Sequence, residues 1–193
     1  MELCEAGSAF IAYFYCDFRD EDKQTHRNLL VSIIFQLSTQ SRYSFDKLSH
    51  LFWTHDEGNR SPSDTSLTQC LKELLFHPTG YPVFLIVDAV DECPDNYGIP
   101  SSREQVLDLI KDLVDTSLPN LHLCVTSRPE SDIKAMLEPL SFRRVSLHDQ
   151  SGQKKDIIDY ITAVVYSDRK MQRWREEDKR LVIKTLSERA DGM

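Results

Sequence analysis

Five consecutive apolar residues, Val83-Phe84-Leu85-Ile86-Val87, break off abruptly into Asp88-Ala89-Val90-Asp91-Glu92. A run with no polar alternation suits a strand covered on both faces, which is the signature of a parallel sheet. Parallel strands need crossovers of a dozen or more residues, usually helical. Helical spacing does occur on both sides of the run. Leu29, Leu30, Ile33, Ile34 and Leu37 mark one helix face, Leu67, Cys70, Leu71, Leu74 and Leu75 another, and Val106, Leu109, Ile110, Leu113 and Val114 a third. An aromatic run over 9–18 and the short apolar segment Leu121–Val125 read as further strands, and Arg144–Leu147 as a weaker one. The pattern predicts an α/β fold with right-handed crossovers.

Several boundaries follow from local chemistry. Residues 54–65 read as a surface loop, and Ser66 with Gln69 has the capping-box spacing that opens a helix. Ser131 is placed to cap a short helix reaching Leu137. Two amphipathic helices, near 153–165 and 176–190, close the chain. The organisation expected is an α/β core over 1–150 and a helical extension over 151–193.

In α/β sheets ligands bind beyond the carboxyl ends of the strands. The two strongest strands end in Asp88…Asp91-Glu92 and in Thr126-Ser127-Arg128. Three carboxylates within five residues repel one another, and a divalent cation relieves the repulsion. Magnesium takes one or two carboxylates plus phosphate oxygens. Asp88 stands where such an ion would be held, through water. Asp91 or Glu92 could orient an attacking water, and Arg128 could neutralise charge developing on a terminal phosphate. The plainer alternative is that these acids cap the turn after the strand.

The remaining features exclude more than they indicate. With 31 Asp+Glu against 23 Lys+Arg the net charge is −8, which disfavours a general nucleic-acid binder. The segment 168–180 carries six basic and four acidic residues and reads as a solvated helix face. No apolar run approaches the roughly 18 residues of a membrane span, and Met1-Glu2-Leu3-Cys4-Glu5 lacks the basic and apolar regions of a signal peptide. The five cysteines show no C-x-x-C pair and read as reduced, buried, small hydrophobes, which fits a cytoplasmic protein. The histidines lack ligand spacing, no nucleophile elbow occurs, and Trp53 and Trp174 read as packing residues.

Taken together, Val83 to Cys93 resembles the Walker B region of NACHT-type STAND P-loop NTPases, whose fungal members are also described as nephrocystin-3-like N-terminal domains. Leu123-Cys124-Val125-Thr126-Ser127-Arg128-Pro129 is similar to their sensor-1 strand. Ala12 to Phe18, then Lys23-Gln24 and Leu29-Leu30, resembles the strand and helix between Walker A and Walker B. Asp156-Ile157, Tyr160-Ile161 and Ala190 to Met193 match the downstream pattern. The resemblance implies a three-layer parallel sheet flanked by helices and a switch that binds and hydrolyses Mg²⁺-ATP or Mg²⁺-GTP. It also implies nucleotide contacts from Asp88, Thr126 and Ser127, and partners that are other NACHT protomers or the effector and repeat domains of a longer chain. In fungi such switches are associated with nonself recognition and cell death.

One departure governs the mechanism. The six glycines are followed by Ser8, Asn59, Tyr81, Ile99, Gln153 and Met193, so no G-x-x-x-x-G-K-[ST] exists. The expectation is a fragment missing its first, P-loop strand. A P-loop supplies charge-assisted bonds of roughly 1.5–3 kcal/mol each, so this chain is expected to hold nucleotide very weakly. The sheet is expected to keep an unpaired edge, unless the last strand closes the gap, and to be less stable and aggregation-prone. The alternative function is a non-catalytic remnant serving as an interaction or oligomerisation module.

Overall fold

The computed structural model describes residues 8–95, 100–146 and 151–189 of the 193. It divides into two compact units, 1–141 and 142–193. The first is an α/β unit on a three-stranded parallel sheet flanked by helices, consistent with a P-loop-like three-layer fold lacking its first strand. Strands β1 (Phe10–Tyr15), β2 (Val83–Asp88) and β3 (Leu121–Val125) lie in that order. Phe10 pairs with Val83, and Val83 with Leu121.

Between β1 and β2 run α1 (His26–Ser38), α2 (Arg42–Thr54) and α3 (Asp64–Leu75). Between β2 and β3 runs α4 (Ser102–Asp115), and α5 (Ser131–Leu137) follows β3. Both crossovers step the same way across the sheet, and right-handed connections of that kind stack helices on one face. The buried side chains agree. Phe10, Ala12, Phe14, Val83, Leu85 and Val87 form a single core with the apolar stripes of α1, α3 and α4. The alternate strand positions are less covered: Tyr13 and Tyr15 are 46% and 53% exposed, and His122 and Cys124 are exposed.

The edge of β1 is closed without a strand. Gln36, in the last turn of α1, and Gln40, just past its end, act as two peptide groups. Gln40 accepts from the Ile11 N–H at 3.0 Å and donates to the Ile11 carbonyl at 2.6 Å; Gln36 does the same for Tyr13 at 3.1 and 2.7 Å. At the other end of the sheet, no strand among the described residues pairs with the far side of β3. The strand expected at Arg144–Leu147 does not form over Arg144–Ser146, and Leu147 lies outside the described residues. Val145 is 59% exposed, so no burial rewards an extended segment there.

Local chemistry moved two helix starts and added one helix. α3 is capped by Ser63, whose hydroxyl accepts from the Ser66 N–H at 3.1 Å, so Ser66 is a helical residue and not the cap. Arg27 of α1 holds Asp64 at 2.5 Å, and the helix extends back to Asp64, two residues after Pro62. α5 likewise begins at Ser131, with Glu130 as its flanking residue and no side-chain cap. The segment expected as a loop from residue 54 shortens, because α2 runs to Thr54. Gly58 then takes φ +82°, where a Cβ would lie 2.6 Å from the Phe52 ring.

The second unit contains α6 (Ser151–Ser167), a 3₁₀ turn (Met171–Arg173) and α7 (Glu176–Arg189). Lys179 is buried, bonded to Glu176 at 3.0 Å, with its ammonium 5.1 Å from the centre of the Tyr166 ring. Trp53 and Trp174, read as packing residues, are 63% and 43% exposed and so lie outside the buried core; Trp53 packs edge-on against Phe52. Cys16, Cys70 and Cys93 are buried, Cys124 is exposed, all four are free thiols, and Cys4 lies outside the described residues.

Candidate functional site at the strand ends

The carboxyl ends of β2 and β3 are knitted together by Thr126. Its N–H donates to the Val87 carbonyl at 3.0 Å and its carbonyl accepts from the Val90 N–H at 3.0 Å. Its hydroxyl accepts from the Ala89 N–H at 2.9 Å and donates to the Asp88 carboxylate. Ala89 takes a left-handed conformation, φ 56° and ψ 49°, which turns the chain sharply out of β2 into the 3₁₀ turn Val90–Glu92.

That turn sets the two other acids on separate tasks. Asp91 accepts from the Arg128 N–H at 2.9 Å and lies 3.5 Å from its guanidinium; the Asp91 side chain is 7% exposed, that of Arg128 79%. Glu92 accepts from the Phe18 N–H at 3.1 Å and so holds the segment that leaves β1. Asp91, Glu92, Cys93, Arg103 and Arg128, with Phe18, line a cleft of about 420 Å³. Asp88 is not among the residues lining it, and no ion pair among the described residues joins Asp88 to Arg128. Ser127 is exposed beside this cluster and makes no hydrogen bond among the described residues.

Arg103, which the sequence reading did not single out, is the organiser of the cleft floor. It is buried in the first turn of α4. Its Nη2 donates to the Asp91 carbonyl at 2.6 Å, its Nε to the Cys93 carbonyl at 3.1 Å, and its Nη1 to Glu130 at 2.5 Å and Asp132 at 3.3 Å. Burial pulls its pKa down, but Asp132 and Glu130 outweigh burial and hold it above the ordinary value. A signal was present in the sequence. Ser101 and Glu104 form a true capping box, which places the intervening Arg103 at the helix start beside the loop it braces.

The donor set fits a magnesium-bound phosphate in part. Asp88 offers one carboxylate and Arg128 an exposed guanidinium, a combination suited to magnesium, which takes its other ligands from water and phosphate. No group of three or more His, Cys, Asp or Glu among the described residues is arranged to hold a metal by itself. No helix among the described residues is long and apolar enough to cross a membrane.

The class defined by these features is a parallel α/β domain with its polar cluster at the ends of adjacent strands. The chain belongs to the family described as Nephrocystin 3, N-terminal, whose model matches residues 1–128. No curated protein and no solved structure matches it.

Proposed function

We propose that the chain is part of a NACHT-type STAND nucleotide switch, of the fungal kind, working in the cytoplasm within a longer protein. The observation that carries this reading is the placement of the Asp88 and Thr126-Ser127-Arg128 motifs on adjacent parallel strands, joined by the Thr126–Asp88 hydrogen bond. In this reading Asp88 holds Mg²⁺ through water, Thr126 and Ser127 face the nucleotide, ATP or GTP, and Arg128 meets its terminal phosphate. Asp91 or Glu92 orients the attacking water through the carboxylate oxygen that does not accept from a main-chain N–H. The partners are other protomers of the same class or the effector and repeat domains of the longer protein.

The 193 residues contain no phosphate-cradling loop. Binding of Mg²⁺-ATP or Mg²⁺-GTP is therefore expected at millimolar concentration, about −4 kcal/mol. Titration followed by backbone amide NMR tests this. Shifts centred on 88–92 and 126–128 support the reading. Strand-end amides left unmoved well above millimolar nucleotide sink it and leave the interaction module, which the internal bonds of Asp91 and Glu92 favour. Micromolar binding refutes the expected weakness.

A further inference from the structure

The sulfur atoms of Cys16 and Cys93 lie 3.3 Å apart, although the residues are 77 positions apart in the chain. Cys16 immediately follows β1, and Cys93 immediately follows the turn that carries Asp91 and Glu92. Their main chains are each held by a backbone hydrogen bond. The Cys16 N–H donates to the Asp88 carbonyl at 3.0 Å, the Cys93 N–H to the Val90 carbonyl at 3.1 Å, and Arg103 holds the Cys93 carbonyl. A disulfide near 2.05 Å needs the sulfurs to approach by about 1.2 Å.

We propose that Cys16 and Cys93 are a site of oxidative modification, a dithiol that peroxides convert to a disulfide and thiols restore. Both thiols are buried, Cys93 1% and Cys16 5% exposed, so peroxide reaches them through local opening of the turn; Cys93 is the attacking sulfur because it borders the cleft beside the Arg103 guanidinium, which holds its carbonyl. The bond shared with Cys16 draws the Cys93 thiol below its ordinary pKa; burial opposes this and the Arg103 charge adds to it. The same bond, then burial, push Cys16 up. The Cys93 thiolate takes one oxygen of hydrogen peroxide, the O–O bond breaks, and the other oxygen leaves as hydroxide, giving a sulfenic acid at Cys93. The Cys16 sulfur then attacks the Cys93 sulfur, the S–O bond breaks, and hydroxide leaves. With the protons of the two thiols, two waters form, and the two thiols have given two electrons to one peroxide.

The disulfide would tie the end of β1 to the turn bearing Asp91 and Glu92, so that these two carboxylates are anchored to the sheet. The site does not depend on nucleotide binding, and its test needs none. The full chain, folded and without denaturant, is exposed to hydrogen peroxide, then quenched, alkylated in urea and digested. The expected result is a mass loss of about 2 Da, a peptide joining Cys16 to Cys93, and reversal by dithiothreitol. With Cys16→Ser the Cys93 sulfenic acid should persist and react with dimedone. Cys16 and Cys93 both remaining open to alkylation while exposed Cys124 is oxidised would overturn the proposal, and so would pairing of either with Cys124. The wild-type chain alone decides, whatever the folding of the variant.

Discussion

Arg103→Met removes four hydrogen bonds while keeping most of the aliphatic stem, so its cost separates the guanidinium from simple packing. The two ion pairs contribute the smaller part. Glu130 and Asp132 have side chains 42% and 41% exposed, and pairs open to solvent are worth about 0.5 kcal/mol each. The carbonyls of Asp91 and Cys93 are the larger part. Each loses its donor at the floor of the cleft, and an unsatisfied buried polar group costs about 1–3 kcal/mol. The whole change should destabilise the first unit by about 4 kcal/mol. With a urea slope near 2 kcal/mol/M the midpoint falls by about 2 M. The assay is urea unfolding followed by Trp53 fluorescence in a Trp174→Phe background, since Trp53 reports on the first unit alone. Glu130→Gln with Asp132→Asn in the same background should move the midpoint by about 0.5 M or less. If that double variant matches Arg103→Met, or if Arg103→Met shifts the midpoint by under about 0.5 M, the main-chain carbonyls do not carry the loss and the reasoning fails.

Replacing both Gln36 and Gln40 by Ala strips the amide pairs from the outer edge of β1; about 1–2 kcal/mol of stability should go, and the bared strand should pair between molecules. Light scattering after size exclusion checks this, and a monodisperse double variant at wild-type stability would contradict it. Acid should also weaken the fold early. Burial lowers the pKa of both His26 and His77 below the ordinary 6.5, against the pull of Asp64 on His26. Below pH 6.5 the unfolded chain therefore binds protons that the folded chain resists, so stability is full above that pH and declines as pH falls through it. Thermal midpoints should drop between about pH 7.5 and 5.5; a flat or rising trend would show that the two imidazoles do not govern the window.

The sheet was legible where burial alone decides the residue. β2 announced itself because its apolar run has no polar alternation, and β1 and β3 because their apolar residues recur beside it. α2 left no such trace. Of its thirteen residues only Ser44 is buried; Leu48 and Leu51 on the same face pack partly against the core, while Phe45, Phe52 and Trp53 are about half exposed or more, so the apolar residues do not single out one face. Capping was misread at Ser66 and at Ser131 and overlooked at Ser101. Ser66…Gln69 and Ser101…Glu104 have the same spacing, but only the second stands at a break from extended chain into helix. That difference lives in backbone geometry and not in residue type. The strand-end residues were named from chemistry. Their present partners were out of reach, because Thr126 and Asp88, or Arg128 and Asp91, become neighbours only after a crossover of more than thirty residues.

The contact between Asp91 and Arg128 is of two unequal kinds. The main-chain N–H of Arg128 is held at 2.9 Å, whereas its guanidinium stands 3.5 Å away with most of its surface in water. An anion arriving in the cleft competes only for the second, whose guanidinium already stands mostly in water. The guanidinium can be surrendered to a visitor while the amide tether keeps β3 docked against the turn. Recruitment of this arginine would thus leave the scaffold in register.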